Sequence, residues 1–275
     1  DSTPVIHAAL DAGITFFDSA EIYGDGTSEE FVGRAIEGRR SEIRLATKFG
    51  LRKNHVQGTG KGPGSRENIR IAVGLSLKRL RTDIIDLYQI HTPDAATPIA
   101  ETLAAMNELV AEGKVRLIGC SNFSPAQLRE AAATAEAMGI ESFVTAQNEW
   151  SLLDRRVEHD LLPACAETGT TILPFYPLAR GLLTGKYRRG EKAPPGSRLE
   201  SDLRGVDFDA LEALEAFAVA RGFNLLTLAV SWLASQKVTA CVISGASHAD
   251  QPAKNVAAAW KMTAEDFAEI DRILG

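Results

Sequence analysis

Four glycines of this chain stand where a helical pattern stops and a short apolar run begins, and that alternation restricts the fold more than any other feature. Gly13 precedes Ile14-Thr-Phe-Phe17, Gly113 precedes Val115-Arg-Leu-Ile118, Gly139 precedes Phe143-Val-Thr-Ala146, and Gly169 precedes Thr170-Thr-Ile-Leu173. A glycine closing a helix, a short loop and a buried strand form the αβ half of a repeating unit. Residues 43–47, 84–90 and 239–243 add runs of the same kind, giving seven. Runs that are apolar on both faces and alternate with amphipathic helices require a parallel sheet covered by helices.

The helix starts are legible too. Residues 4–13 read as a helix heading into the first run. Thr27-Ser-Glu-Glu30 and Ser124-Pro-Ala-Gln127 each fit a capping box, and Thr97-Pro98 repeats the placement of proline at a first helical position. Residues 209–220 and 263–274 read as additional surface helices, the second begun by Thr263. Two long connections interrupt the spacing: 50–64, with glycines at 58, 60, 62 and 64, and 181–206, rich in Gly, Pro and Arg. Such loops shape a substrate mouth when they lie on the C-terminal face of a barrel. Neither ends in Gly-Lys-Ser/Thr, so a phosphate-cradling P-loop is not supported.

Polar residues close every run instead of gathering at one switch point, which favours a barrel over an open doubly wound sheet. The expected architecture is an α/β fold, a (β/α)8 TIM barrel forming a single domain over residues 1–275. Its first strand is expected upstream of Asp1, with extra surface helices near the C-terminus. With 45% hydrophobic and 24% charged residues the composition is that of a globular chain with a sizeable core. The net charge of -6 comes without a basic run, so neither nucleic acid nor an anionic membrane is expected as a partner. Cys120, Cys165 and Cys241 are odd in number and far apart, which fits buried thiols in a reducing compartment, the cytoplasm. No window approaches bilayer-spanning length, no signal-peptide pattern opens the chain, and no metal site is expected.

In a parallel barrel the ends of all strands meet on one rim. Taken in order they offer Asp18 with Tyr23, Lys48, His91, Ser121-Asn122, Gln147-Asn148, Phe175-Tyr176 and Ser244-Gly245. A lysine ammonium beside a phenol stabilises the phenolate, so the Tyr23 pKa is expected to fall from about 10 and the phenol to serve as a general acid. A buried ammonium needs a counter-ion, and Asp18 on the neighbouring strand can pair with Lys48. His91 can hydrogen-bond a substrate oxygen and set its direction. Each residue alone has a bland structural reading, as a rim charge, a turn former or loop packing. Complementary roles meeting on one rim favour addition to a carbonyl.

A hydride for that carbonyl has to come from a cofactor. No Gly-x-Gly-x-x-Gly follows a strand, so a Rossmann site is not supported. Ser121, Asn122 and Gln147 are able to read a carboxamide, and Phe175 or Tyr176 offers an aromatic face for a flat ring. The segment Ser244 to Asn255, running into a helix behind the last strand, is the expected place for a cofactor phosphate.

With these residues in view the chain resembles the aldo-keto reductases over essentially its whole length. The matching motifs are Gly13-Ile-Thr-Phe-Phe-Asp18-Ser-Ala-Glu-Ile-Tyr23-Gly, Leu45-Ala-Thr-Lys48 and Asp83-Ile-Ile-Asp86-Leu-Tyr-Gln-Ile-His91. Gly113-Lys-Val-Arg-Leu-Ile-Gly-Cys-Ser121-Asn122-Phe, Gln147-Asn-Glu-Trp-Ser and Gly181-Leu-Leu-Thr-Gly-Lys-Tyr187 follow in the same order. The resemblance implies a (β/α)8 barrel whose bound NADPH gives its hydride to an aldehyde or ketone, with NADH left open as an alternative. It places the catalytic tetrad on Asp18, Tyr23, Lys48 and His91, with Tyr23 as the acid. It places carboxamide binding on Ser121, Asn122 and Gln147. Stacking on the nicotinamide falls on Phe175 or Tyr176, further cofactor binding on Leu178, and the adenosine end on Ser244, Gly245, Ser247, Gln251 and Asn255.

Two departures from the family pattern are visible. Phe175 stands where the family places a tyrosine, with Tyr176 in the following small-residue position. Ser247 stands where many relatives carry Arg or Lys, leaving His248 and Lys254 to meet the phosphate that distinguishes NADPH. Substrate specificity is expected in the loops after Lys48 and Leu178 and around Trp150. The alternative function is a catalytically idle nicotinamide-binding regulatory or adaptor protein on the same fold. A Schiff-base aldolase using Lys48 is the third, and pairing with Asp18 argues against it.

Overall fold

The computed structural model describes residues 2–51, 62–201, 203–257 and 260–275. Helix α1 (Thr3–Asp11) leads to strand β1 (Phe16–Asp18), α2 (Thr27–Ala35) to β2 (Arg44–Phe49), α3 (Arg66–Leu80) to β3 (Ile85–Ile90) and α4 (Ile99–Ala111) to β4 (Val115–Ser121). Then come α5 (Pro125–Met138), β5 (Thr145–Glu149), α6 (Val157–Thr168) and β6 (Thr171–Phe175). Helices α7 (Phe208–Ala220), α8 (Leu225–Ala234), α9 (Gln251–Val256) and α10 (Ala264–Leu274) complete the chain.

The six strands form one parallel sheet in the order β1-β2-β3-β4-β5-β6. The seventh expected run does not form a regular strand, yet it lies in the seventh place. Thr239 makes a parallel bridge to Ile172, Ala240 N–H donates to Ile172 O at 3.0 Å, and Ile243 N–H donates to Pro174 O at 3.0 Å.

Alternating side chains give the curled sheet two faces. Ala46, Leu87 and Leu173 meet inside it, packed by Phe16, Val144, Cys241 and Ile243, so staves from β1 round to the seventh segment fill a common interior. Ala46 pairs in register with Leu87, and two residues further Lys48 pairs with Gln89. The interior is therefore an apolar floor with a polar layer above it at the strand ends. On the outer face Leu45, Phe49, Tyr88, Ile90, Ile118 and Cys120 pack against buried helix residues such as Ile69, Leu103, Met106 and Leu128. Each such aliphatic side chain stabilises the fold by roughly 1.5–3 kcal/mol relative to exposure, and this layer holds the strand ends in place.

The capping box at Ser124–Gln127 forms as read, with both reciprocal bonds. Thr263 likewise caps α10 in a box with Asp266. The box expected at Thr27 does not form: Gly26 is the N-cap, and the Thr27 hydroxyl donates to Gly24 O at 2.6 Å. Pro98 is the N-cap of α4 rather than its first residue. Helix α8 was not foreseen because Leu225-Leu-Thr-Leu-Ala-Val-Ser-Trp-Leu-Ala234 is almost wholly apolar and short, a run that cannot be told from a buried strand by its pattern. Most of the glycine-rich connection expected over 50–64 lies outside the described residues. Among the described residues no single helix is long and apolar enough to cross a membrane.

Candidate active site

The polar layer is built around Lys48. This lysine sits near the C-terminal end of β2, is fully buried, and gives its ammonium to the Asp18 carboxylate of β1 and to Ser19 O at 2.8 Å. The other Asp18 oxygen accepts from Gln89 Nε2 at 3.1 Å and from Gln147 Nε2 at 3.2 Å. Four strands thus converge on one carboxylate. Gln89 is a member of this set that sequence reasoning missed. Its signal was a fully polar side chain inside the run Asp86-Leu-Tyr-Gln-Ile90, on the inward face two residues before His91.

Gly119 on β4 makes room for that network. A Cβ there would press into Thr145 Oγ1 and reach 3.2 Å from Gln89 Cγ.

Tyr23 and His91 lie beside the ammonium. The Lys48 Nζ is 5.2 Å from the Tyr23 ring centroid, and the His91 ring meets the Tyr23 ring edge-on at 6.0 Å and 88°. Although 43% of Tyr23 is exposed, its phenol end is buried enough that burial pushes its pKa above the usual tyrosine value; Lys48, as charge and hydrogen-bond donor, only partly offsets this. That corrects the expectation of a lowered pKa. In this state the desolvation of the phenolate outweighs the attraction of Lys48, which Asp18 already partly neutralises.

Burial, seconded by the Lys48 charge, lowers the His91 pKa to about 4, so the imidazole is neutral at pH 7. Its Nδ1 is buried without a hydrogen-bond partner among the described residues. The His91 backbone is pinned by its N–H to Phe49 O at 2.7 Å and by Asn122 Nδ2 donating to its carbonyl at 2.9 Å.

A second carboxyl stands behind this set. Burial raises the Glu21 pKa to about 7, and Glu21 accepts the Gly50 N–H at 2.7 Å, tying the loop after β1 to the end of β2. Its signal in the sequence was only its position between Asp18 and Tyr23.

At the end of β4, Ser121 gives its hydroxyl to Gln147 O at 2.8 Å. Asn122 takes the left-handed conformation (φ 60) that asparagine tolerates better than most residues, and its exposed side chain stands beside the Ser121 hydroxyl. Phe175, half-buried at the end of β6, meets the exposed Tyr176 edge-on at 5.2 Å. The carbonyl of Leu178 accepts from Gly181 N–H at 2.8 Å.

Farther along, Asn255 Nδ2 donates to Ser244 Oγ at 3.2 Å, and Gln251 Oε1 accepts the Ser247 N–H at 2.7 Å; a Cβ at Gly245 would meet open space. Lys254 pairs with Asp250 at 2.5 Å on the exposed surface. Trp150 is not at the mouth: it is fully buried, edge-on to Trp232 at 5.5 Å, with Nε1 donating to Glu158 at 3.0 Å. Among the described residues no group of three or more His, Cys, Asp and Glu is placed to hold a metal.

The donor set fits a nicotinamide cofactor. Ser121 and the exposed Asn122 amide stand at the end of β4, Phe175 supplies an aromatic face at the end of β6, and paired neutral polar groups run from Ser244 to Asn255.

A parallel α/β barrel sheet with an ammonium, a phenol, a carboxylate and an imidazole at adjoining strand ends is the framework of a barrel enzyme. The model of the Aldo/keto reductase family matches residues 1–274. Among curated relatives, the Aldo-keto reductase YhdN of Bacillus subtilis (strain 168) is 38% identical, covering 99% of this chain and 83% of its own. The Probable aldo-keto reductase 1 of Glycine max is 35% identical, covering 98% and 78%. Among solved structures, the glycerol dehydrogenase AKR11B4 from Gluconobacter oxydans superposes with a TM-score of 0.85 at 35% identity, covering 99% of this chain and 84% of that one. An aldo/keto reductase from Klebsiella pneumoniae, solved with NADP and acetate, gives a TM-score of 0.78 at 29% identity, with coverage of 99% and 84%. The chain belongs to the aldo/keto reductase family, as its motifs implied, and is an oxidoreductase.

Proposed function

We propose that this protein reduces an aldehyde or ketone to the alcohol, with Tyr23 as general acid, Lys48 and Asp18 as its electrostatic support and His91 as the group that orients the carbonyl. The cofactor is NADP(H), which when bound supplies a hydride to the carbonyl carbon. The observation that carries the reading is the convergence of Lys48, Asp18, Tyr23 and His91 at the ends of neighbouring strands.

The Tyr23 phenol is protonated at neutral pH and donates to the carbonyl oxygen. As negative charge grows on that oxygen, the proton crosses to it and the Tyr23 oxygen becomes a phenolate. Lys48 sits where it stabilises that phenolate, and the Asp18 pair keeps the ammonium fixed while the proton moves. The neutral His91 imidazole offers an N–H that holds the carbonyl oxygen toward Tyr23. A Schiff-base role for Lys48 is disfavoured by its full burial and by donors already committed to Asp18 and Ser19.

Ser121, Asn122 and Gln147 are assigned to the carboxamide, Phe175, Tyr176 and Leu178 to the nicotinamide side of the cofactor, and Ser244, Gly245, Ser247, Gln251 and Asn255 to the adenosine side. Residues 1–275 are taken as one domain, and the free thiols Cys120, Cys165 and Cys241 support a reducing compartment, the cytoplasm. The test is NADPH oxidation with a panel of aldehydes. The wild type turns over and Tyr23→Phe is nearly silent; equal rates from both would remove the mechanism.

A further inference from the structure

The main chain after β1 goes on bonding β2 beyond Asp18, the last residue of the strand. Ser19 N–H donates to Ala46 O at 2.9 Å and Glu21 N–H to Lys48 O at 3.0 Å. There the backbone leaves for the turn that carries Tyr23, whose N–H donates to Ala20 O at 3.1 Å. The Glu21 side chain takes over. Its Oε1 accepts the Gly50 N–H at 2.7 Å, with the Leu51 N–H as a further donor. One residue thus grips the end of β2 on both sides of Phe49.

The peptide held by the side chain is shared with a second group of the site. Phe49 C=O and Gly50 N–H belong to one planar unit. The N–H donates to Glu21, and the C=O accepts the His91 N–H at 2.7 Å. Glu21 therefore reaches the His91 backbone through one rigid peptide, while its own N–H fixes the Lys48 carbonyl and its chain runs on to Tyr23. A peptide whose N–H is held by a carboxyl is also a better acceptor through its C=O, which strengthens the grip on His91.

The carboxyl is an expensive group at this depth. Glu21 is 6% exposed, and burial pushes its pKa to about 7. An aliphatic side chain in its place would fill the space without that cost. The other buried carboxyl of the loop, Glu29, is accounted for by its own partners: it accepts from Thr47 Oγ1 at 2.7 Å and from Arg79 at 3.2 Å. Glu21 gives Oε1 to the strand end instead.

We propose that Glu21 is a positioning residue of the reduction, holding Tyr23 and His91 in one frame about Lys48 through the Phe49–Gly50 peptide. The inference rests on the reductase reading. Glu21 touches neither substrate nor cofactor and moves no proton; it fixes where the phenol and the imidazole stand.

The test is single-turnover kinetics, with NADPH bound in advance and an aldehyde accepted by the wild type in excess. The amplitude reports the folded, cofactor-loaded fraction, and the rate constant reports the alignment of the reacting groups. In Glu21→Met the rate constant falls about tenfold or more, as expected for reacting groups displaced by a fraction of an ångström to about 1 Å. The amplitude and the NADPH dissociation constant, read by fluorescence titration, keep their wild-type values. Glu21→Ala, which needs no extra space, shows the same fall. Glu21→Gln keeps an acceptor oxygen for the Gly50 N–H and retains most of the wild-type rate constant.

A wild-type rate constant in Glu21→Met or Glu21→Ala would overturn the inference and leave the reductase reading intact. A lowered amplitude at an unchanged rate constant, or loss of NADPH binding in both variants, would overturn it as well, assigning Glu21 to folding alone. Glu21→Gln as slow as Glu21→Met would also overturn it, since the acceptor would then not be what matters. Failure of the wild type to oxidise NADPH with any aldehyde would instead sink the reductase reading, and this inference with it.

Discussion

The Lys48 ammonium rests against the Asp18 carboxylate with 0% of one side chain and 6% of the other exposed. The two sides of this pair are not equivalent. Asp18 is also held by Gln89 and Gln147, whereas the anionic partner of Lys48 among the described residues is Asp18, beside the Ser19 carbonyl and the Tyr23 phenol. Asp18→Asn therefore strands a buried ammonium and is expected to cost about 3–5 kcal/mol of stability. Lys48→Met leaves a carboxylate that still accepts two amide donors and is expected to cost less. The double variant regains part of the loss. Urea unfolding of the three proteins checks the order, and equal costs for the two single variants would show that the pair is effectively solvated.

Two buried groups give the protein opposing pH dependences. The Glu21 pKa is raised to about 7 from 4.5, so the native state keeps a proton that the unfolded chain has released, and stability falls as pH rises between those values. The His91 pKa is lowered to about 4 from 6.5, so the native state refuses a proton that the unfolded chain accepts, and stability falls as pH drops through that window. Each contributes roughly 3 kcal/mol at most, and they oppose one another where the windows overlap. Glu21→Gln is thus expected to gain on the wild type in urea midpoint as pH rises through the Glu21 window. A difference that stays flat with pH would mean that Glu21 ionises as in water.

Tyr23 is expected to ionise above the ordinary tyrosine range in the cofactor-free protein, because burial outweighs Lys48. Ultraviolet difference titration of wild type against Tyr23→Phe isolates that one phenol. The difference should stay flat through neutral pH and rise only above about 10. Lys48→Met, by removing the charge that lowers the value, moves the rise higher still. A tyrosinate appearing below that range would restore the simpler picture in which Lys48 dominates.

The parts of this molecule that were legible in the sequence are those fixed by local chemistry. Ser124-Pro-Ala-Gln127 announces its own cap because the two bonds lie within one turn. The strand ends were readable because Gly113, Gly139 and Gly169 stop helices just before apolar runs, and parallel strands carry their polar residues to one edge. Longer-range balances were not readable. Whether Lys48 or burial governs Tyr23 depends on how deep the phenol sits, and no residue string states that. Gln89 joined the site only once Lys48 was seen in register beside it. Trp150 adjoins the site motif Gln147-Asn-Glu yet turns outward, because Trp232 on the unforeseen helix α8 takes its ring. A short, mostly apolar helix hides both itself and whatever it buries.

The aromatic that stacks on the cofactor ring follows from the alternation of β6. Leu173 lies on the interior floor, and side chains of a strand repeat their facing every second residue, so Phe175 continues the inward face above Leu173. Tyr176, the next residue, meets Phe175 edge-on and carries Arg180 and Arg198 over its ring. A nicotinamide ring on the polar layer is therefore expected to meet Phe175 ahead of Tyr176. Phe175→Ala is expected to weaken NADPH binding about tenfold, the loss of one aromatic contact worth about 1.5 kcal/mol, while Tyr176→Ser changes it by less than about threefold. Fluorescence titration with NADPH decides between them. The reverse order would mean that the departure from the family's tyrosine moved the stacking role one residue along the chain.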